Sequence, residues 1–355
     1  MTLRKTALRF HRWLSLSAMA FWLIQALTGV LIVFHWEIDD ALLSGERTAI
    51  DLVAIEKRIE ALTPPGSGRS VGSVWESGGS PDRFDLYLDE PDGSSVIRID
   101  GAGEILRTRT DGEMFVDGGW IDTLVLLHHN LLSGDVGSWI VGISGLLLLS
   151  NLIAGLTLAW PRRGGWRRAL VPPAGMASGA AGAYAWHRAL GLWVVVPAFL
   201  TVSAAVLLVF AGTTEAIVRP PPVAAPSESV EGGKEIGFAA AVSAALRSFP
   251  GSRVSGINLP ADDMAFYKIR LLQPGESRRI YGTTTVFVRA ADGQIVAGSD
   301  ALNDGPRRSF VDGLFPFHTG EMGGTIGRIA VMAIGIWLIA IIVLGFLLWR
   351  RRSGR

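Results

Sequence analysis

Four apolar stretches of the 355-residue chain are each long enough to cross a lipid bilayer. They lie at about 13–36, 138–160, 188–211 and 328–349, and an α-helix of about 20 apolar residues spans a hydrocarbon core of about 30 Å. The first stretch is longer than a signal-peptide core and lacks a small-residue cleavage site, which favours a retained anchor. The sequence therefore predicts a mainly α membrane protein with four transmembrane helices.

Basic residues gather at one end of these spans and acidic residues at the other. The basic residues precede the first span, fill the loop after the second and close the chain: Arg4, Lys5, Arg9, Arg12, Arg162, Arg163, Arg167, Arg168, Arg350, Arg351, Arg352 and Arg355. The acidic residues at the opposite ends are Glu37, Asp39, Asp40, Asp135 and Glu215. Because positively charged loops stay in the cytoplasm, both chain termini and the 161–186 loop are predicted to be cytoplasmic.

The two segments predicted to lie outside the membrane have similar patterns. The first has an amphipathic helix at 52–59 and strands at 83–88 and 95–99. The second has a helix around 238–249, followed by strands near 266–272 and 283–289. Helix followed by antiparallel strands in both segments predicts two small α+β domains in an internally duplicated chain. The predicted parts are an N-terminus with the first span at 1–37, an outer domain at 38–136, a span at 137–160, a cytoplasmic loop at 161–186, a span at 187–211, a linker with a second outer domain at 212–325, and a span with a cytoplasmic tail at 326–355.

Histidines recur at matched places in the two halves of the chain. His11 and His187 open the first and third spans, whereas His128 and His318 each stand nine residues before a glycine at the head of the second or fourth. Two imidazoles at one depth on different helices are what bis-histidine ligation of haem requires. The pattern predicts two pairs of haem-iron ligands, His11 with His187 and His128 with His318, and electron transfer across the membrane. The alternative is that the amphipathic ring is merely tolerated at a membrane interface.

The remaining two of the six histidines fit this pattern less directly. His129 adjoins His128 and would point elsewhere on a helix. His35 has no histidine counterpart, since the equivalent position in the second half is Ala211. Both are kept as further candidate ligands, and for His35 a substrate-side role and a plain interfacial ring stay open as well.

The absence of cysteine limits the chemistry of any cofactor. Disulfides, iron–sulfur clusters and thiolate ligation of haem are excluded, so the predicted cofactor is haem b, one or two per chain. The glycine spacing at 66–72 does not fit a dinucleotide-binding fingerprint. No predicted cytoplasmic segment is long enough for a nucleotide-binding domain, and we expect no nucleic-acid partner.

The segments around the histidines resemble a known family. Leu8–Asp39, which includes His11-Arg12-Trp13-Leu14 and Leu27-Thr28-Gly29-Val30-Leu31, is similar to the first segment of the PepSY-associated transmembrane proteins. Leu127–Gly137 resembles their second segment. Phe317–Arg328 and the closing Trp349-Arg350-Arg351 resemble their last, so the resemblance covers nearly the whole chain.

The family includes bacterial iron-regulated inner-membrane proteins and ferrisiderophore reductases with haem in a four-helix membrane domain. The resemblance implies a multi-pass protein of the bacterial inner membrane with two PepSY-like periplasmic domains. It further implies a reductase that passes electrons from an unknown cytoplasmic or quinol donor, through haem, to a ferric siderophore in the periplasm. Two alternatives stay open: a non-enzymatic membrane regulator or assembly factor, and a transporter of a metal or siderophore. Transport is disfavoured because the middles of the spans contain no Asp, Glu, Lys or Arg.

Overall fold

The computed structural model describes residues 3–110, 112–116, 118–161, 164–172, 179–223, 226, 236–261 and 265–353. Three of the arginines behind the orientation prediction, Arg162, Arg163 and Arg355, lie outside the described residues. The chain divides into two compact units. The helical unit comprises Met1–Val33, Leu124–Ile217 and Phe317–Arg355, and the sheet unit comprises Phe34–Thr123 and Val218–Pro316.

Helices and strands alternate along the chain in two similar series. The first series is α1 (Leu3–Ile32), α2 (His35–Ala41), α3 (Leu52–Leu62), β1 (Ser70–Glu76), β2 (Arg83–Glu90), β3 (Gly93–Asp100), β4 (Ile105–Thr110), α4 (Gly119–Asn130), α5 (Gly134–Ala159) and α6 (Trp166–Leu170). The second is α7 (Gly179–Val209), α8 (Ala211–Val218), α9 (Phe238–Ser248), β5 (Arg253–Asn258), β6 (Phe266–Leu272), β7 (Thr284–Arg289), β8 (Ile295–Ser299), α10 (Gly305–Thr319), a 3₁₀ turn (Glu321–Gly323) and α11 (Gly324–Ser353). This order confirms the predicted class, four membrane helices combined with α+β structure.

Four helices of the helical unit, α1, α5, α7 and α11, are long and apolar enough to cross a membrane. Helices α1 and α7 begin before the predicted spans, because helical hydrogen bonding extends beyond the long apolar runs, through charged residues in α1 and through an alanine- and glycine-rich stretch in α7. His11 and His187 therefore lie inside α1 and α7 rather than at their first turns. Helix α1 packs against α5 and α11, and α7 packs against the same two. The order around the unit is α1, α5, α7, α11, which places α1 and α7 diagonally opposite each other.

The sheet unit contains one antiparallel sheet in the order β4-β3-β2-β1-β5-β6-β7-β8. Each segment that was predicted as an outer domain supplies four consecutive strands. The two halves join because β1 and β5 pair over Ser73–Trp75 and Gly256–Asn258, so that neither strand is left as an open edge. Strands β1, β4, β5 and β8 were not predicted, since glycine and polar residues weaken their apolar alternation.

One face of the sheet holds the hydrophobic core of this unit. Helices α3 and α9 contact each other, and α9 packs on β5, β6 and β7. Side chains that alternate along the strands are fully buried beneath them, among them Leu86, Ile99, Ile269 and Val286. Each such side chain stabilises the fold by about 1.5–3 kcal/mol through burial. The intervening residues of the strands point to the opposite face.

Buried ion pairs hold α2 against the first half of the sheet. Asp40 accepts a hydrogen bond from Arg83 at 2.7 Å, and Asp39 is bound by Arg98 and by Arg107. Burial alone would raise the pKa of Asp39, but the hydrogen bond from Arg107 and the charges of Arg98 and Arg107 lower it below its ordinary value. Removing one partner of such a network costs about 3–5 kcal/mol because a buried charge is left behind.

Candidate functional site

Two pairs of histidine rings face each other within the helical unit. The first pair is His11 on α1 and His187 on α7, with ring centroids 6.3 Å apart and ring planes at 60°. The second pair is His128 on α4 and His318 on α10, with centroids 6.4 Å apart and planes at 25°. Each pair combines one histidine from either half of the chain. The structure thus brings together the same pairs that the sequence pattern suggests.

Each of the four imidazoles is anchored through Nδ1 to a backbone carbonyl of a neighbouring helix. The Nδ1–oxygen distances are 3.2 Å for His11 to Asn151, 3.2 Å for His187 to Ile341, 3.1 Å for His128 to Gln25 and 3.1 Å for His318 to Thr201. A carbonyl oxygen can only accept a hydrogen bond, so Nδ1 carries the proton in every ring. The lone pair therefore lies on Nε2, the nitrogen that is free to ligate a metal.

The spacing of the rings fits two imidazoles that bind one iron atom from opposite sides. An imidazole nitrogen lies about 2.0–2.1 Å from the metal it ligates, and the atoms of a five-membered ring lie about 1.1 Å from its centre. Two rings on opposite faces of one iron atom therefore have centroids about 6.2–6.4 Å apart. Both observed separations fall in this range. Neither interplanar angle conflicts with it, because an imidazole can rotate about its bond to the metal.

A glycine lies against three of the four rings. A Cβ atom built on Gly29 would stand 2.9 Å from Cε1 of His128, and one on Gly155 would stand 3.1 Å from Cε1 of His11. One on Gly345 would stand 3.2 Å from Cε1 of His187. Each of these glycines lies four residues after the residue whose carbonyl accepts the Nδ1 hydrogen bond. Carbonyl and glycine therefore form one docking position, a single helical turn long, for each ring.

The docking position of the fourth ring, His318, follows the duplication of the chain but has an alanine in place of the glycine. Thr201, which accepts from His318, follows Gln25 by the same 176 residues that separate His187 from His11. The same offset applied to Gly29 leads to Ala205. The second pair therefore has a glycine at one docking position and an alanine at the other, while the first pair has glycine at both.

The two pairs lie at different levels along the helical unit. On α1, His11 belongs to the first pair and Gln25 accepts the hydrogen bond from the second. Fourteen residues of helix separate these levels, which is about 21 Å. Both levels fit within a hydrocarbon core of about 30 Å.

No group of three or more His, Cys, Asp or Glu side chains that could hold a metal ion is found in the described part of the chain. A pair of histidines by itself supplies too few ligands for a bare zinc ion, which takes four. Haem differs because the macrocycle fills the equatorial positions and leaves only the two axial ones to the protein. The donor sets observed here therefore fit haem better than a bare metal ion.

The other two candidate histidines do not join these pairs. His129 is exposed, although it is next to His128 in α4. His35 belongs to the sheet unit, where its ring lies 4.5 Å from that of Trp36 and lines a small cavity of about 80 Å³. Neither position offers a second imidazole for a shared metal.

Sequence reasoning missed the docking positions. Gly29 entered the sequence analysis only as part of a motif shared with a family, and neither Gly155 nor Gly345 was predicted to contact a histidine. The available signal was the repetition of one spacing: the residue that accepts the hydrogen bond and the small residue four positions later recur at Gln25 and Thr201 with the same offset as the histidines.

Comparison with protein families matches residues 8–352 to the family described as the PepSY-associated TM region. The chain combines four helices long enough to cross a membrane with an α+β unit, and this defines it as a helical membrane protein. The match extends over nearly the entire chain, so the protein belongs to the PepSY-associated transmembrane family. A comparison with curated proteins found no match.

Proposed function

We propose that this protein binds two haem b groups, one between the histidines of each pair, and passes electrons across the bacterial inner membrane to an iron(III) chelate. One observation carries the proposal. Two imidazole pairs have the spacing of axial ligands, with every Nδ1 anchored and every Nε2 available. An interfacial role for histidine would not require matched pairs, nor a glycine against three of the rings.

The protein's own contribution is to hold neutral imidazoles in fixed orientations. The hydrogen bond from Nδ1 to a carbonyl sets the tautomer and makes Nε2 a better donor. Glycines at 29, 155 and 345 let the rings approach the neighbouring backbone, which leaves room between diagonally opposed helices. Haem, when bound, supplies a one-electron couple at each level. No acid or base is required at these sites, because the transfer of an electron forms no bond to the protein.

The direction of transfer follows from the charge pattern and from iron chemistry. Basic residues at both chain ends support a cytoplasmic location for the level of the first pair, so electrons would enter there from a cytoplasmic or quinol donor and leave near the second pair. The acceptor would be a periplasmic ferric siderophore. Siderophore oxygens are hard ligands that suit Fe(III), so one-electron reduction to Fe(II) weakens the complex and releases the metal.

Reconstituted vesicles test this proposal. The full-length protein is inserted into liposomes with a reductant trapped inside, a ferric chelate is added outside, and an external Fe(II)-specific dye reports the product. Fe(II) should form outside protein-containing vesicles and not outside empty ones. His128→Ala should abolish the signal, because it removes one ligand of the second pair.

His129→Ala is the matched control, since this neighbour is exposed and belongs to neither pair. It should leave the rate of Fe(II) formation unchanged. Vesicles with folded protein that reduce no external iron, or a His128→Ala variant as active as His129→Ala, would contradict the proposal. The first result would favour a regulator or a transporter.

A further inference from the structure

The face of the sheet opposite the hydrophobic core carries cations and aromatic rings at its centre. Residues that lie directly opposite one another on neighbouring strands share a face. Trp75 on β1, Gly256 on β5 and Arg270 on β6 are such neighbours. The row crosses the junction between the two halves of the sheet. Trp75 comes from the first half of the chain, and Gly256 and Arg270 come from the second.

Trp75 and Arg270 form a cation–π contact at this junction. The guanidinium carbon of Arg270 lies 5.8 Å from the centre of the Trp75 ring. Gly256 makes this possible, because a Cβ at that position would clash with the indole. The ring of Tyr281 contacts Trp75 edge-on, with centroids 5.7 Å apart. Aromatic surface and a positive charge are thus offered at one place.

The charge of Arg270 is poorly compensated. Among the residues that the structure describes, no carboxylate lies within ion-pair distance of it, and its side chain makes no hydrogen bond. Burial lowers the pKa of Arg270, and the more distant carboxylates of Asp312 and Glu276 offset this only in part. By contrast, Arg98, further along the same row, is held by both oxygens of Asp85 at 2.7 Å. Of these two arginines in one row, Arg98 is neutralised by a carboxylate at close range, whereas Arg270, in the second half of the sheet, is not.

A second row beside Trp75 and Arg270 adds hydrogen-bond donors. Ser73, Asn258 and Lys268 lie directly opposite one another on β1, β5 and β6. All three are partly exposed. The ammonium nitrogen of Lys268 lies 5.9 Å from the centre of the Phe287 ring, and within the described residues it has no ion-pair partner. A hydroxyl, an amide and a second cation therefore lie next to the contact between Trp75 and Arg270.

We propose that this junction, defined by Trp75, Arg270, Ser73, Asn258 and Lys268, binds an anionic iron(III) chelate with aromatic oxygen donors, that is, a tris-catecholate. The iron(III) chelate itself rests on the function proposed above, whereas the choice of chelate class comes from the junction. Two cations attract a trianion, the indole stacks on catechol rings, and the donors reach the chelating oxygens. A tris-hydroxamate complex of iron(III) is neutral and has no aromatic rings, so it offers this surface neither charge nor stacking.

Gallium complexes allow binding to be measured apart from electron transfer. Ga(III) has the charge and nearly the size of Fe(III) but is not reduced by haem. The gallium complexes of a tris-catecholate and of a tris-hydroxamate are titrated calorimetrically into the full-length protein in detergent. We expect the catecholate complex to bind at least about tenfold more tightly, with an affinity that falls as salt is added.

Charge-neutral variants locate the site. Arg270→Gln and Lys268→Gln should each weaken binding of the gallium catecholate about ten- to hundredfold. The matched control is Arg247→Gln, which removes the same charge from an exposed position on α9 and should change nothing. Thermal unfolding of each variant verifies the fold, and the second variant keeps the test valid if Arg270→Gln unfolds.

Equal binding of the two gallium complexes, no binding of either, or identical affinities in Arg270→Gln and Arg247→Gln would overturn the assignment. Inorganic phosphate that displaces the gallium catecholate at similar concentrations would also overturn the assignment, since this would indicate a general anion site. These outcomes are independent of haem. A colourless protein that still selects the gallium catecholate would refute the electron-transfer proposal alone.

Discussion

Replacing Gly29 by alanine should remove one haem and leave the other. The new Cβ would stand 2.9 Å from Cε1 of His128, whereas carbon atoms prefer contacts of about 3.5–4.0 Å. The ring would have to withdraw by about 0.6 Å or more, while ligand distances in metal sites tolerate only about 0.2 Å. Retreat would also stretch the 3.1 Å hydrogen bond to Gln25, which lies on the same helix.

The expected loss in haem affinity at the second pair is about ten- to hundredfold, the usual effect of disturbing the anchor of a metal-ligating histidine. Helix propensity acts in the opposite direction, since alanine stabilises a helix by about 1 kcal/mol relative to glycine. A loss of haem would therefore reflect the contact with His128 and not a weakened α1.

The assay is the haem-to-protein ratio of the purified variant, with difference spectra of the remaining haem. Gly212→Ala is the matched control, because a Cβ at this exposed position of α8 would meet no atom within 4 Å. Gly29→Ala should fall from two haems per chain towards one, and Gly212→Ala should keep both. Retention of both haems in Gly29→Ala, or an equal loss in the two variants, would refute the reasoning.

Further tests concern the two histidine pairs and a buried glutamate of the sheet unit. Alanine at either member of the second pair should remove the same haem, and alanine at either member of the first pair should remove the other; absorbance spectra of the four variants that group differently would disprove the pairing. The first pair, with ring planes at 60°, should give low-spin ferric haem with a larger low-field g value in electron paramagnetic resonance than the second, with planes at 25°; one indistinguishable signal would argue against these orientations. In the sheet unit, burial raises the pKa of Glu76 from its ordinary 4.5 to about 7, against the opposing charges of Arg253 and Arg279. Because the pKa is raised in the folded state, the stabilising contribution is present below about pH 4.5 and is lost as the pH rises to about 7, by about 3 kcal/mol. Hydrogen-exchange protection of β1, corrected for intrinsic rates, should therefore fall over this range and should not do so in Glu76→Gln; identical pH profiles would contradict the prediction.

Much of the fold could be predicted from the sequence, because a bilayer restricts the length and composition of the helices that cross it. A span needs a long apolar run, so α5 and α11 could be predicted closely. The N-terminal limits of α1 and α7 were harder to predict, because both helices begin well before the long apolar run that marks the span. Strands such as β4 and β8 lie at the sheet edges, where only partial burial is required, and their alternation is correspondingly weak.

The sequence predicted which histidines form pairs, but it did not predict the backbone carbonyls and glycines that hold the rings. The repeat placed His128 with His318 because equivalent positions in a duplicated chain reach equivalent depths. The acceptor that fixes each ring is a backbone carbonyl. Every residue has one, so the residue type does not reveal which carbonyl accepts the hydrogen bond. The joining of β1 to β5 also depends on backbone hydrogen bonds between distant segments, so the shared sheet and its central junction were not predicted.

The most direct test of this account is a pyridine haemochrome assay with independent protein quantitation. Full-length protein, purified from haem-replete cells, should contain two b-type haems per chain, one for each pair of imidazoles. A folded preparation without haem, or one whose haem content is unchanged when all four paired histidines are replaced by alanine, would contradict it.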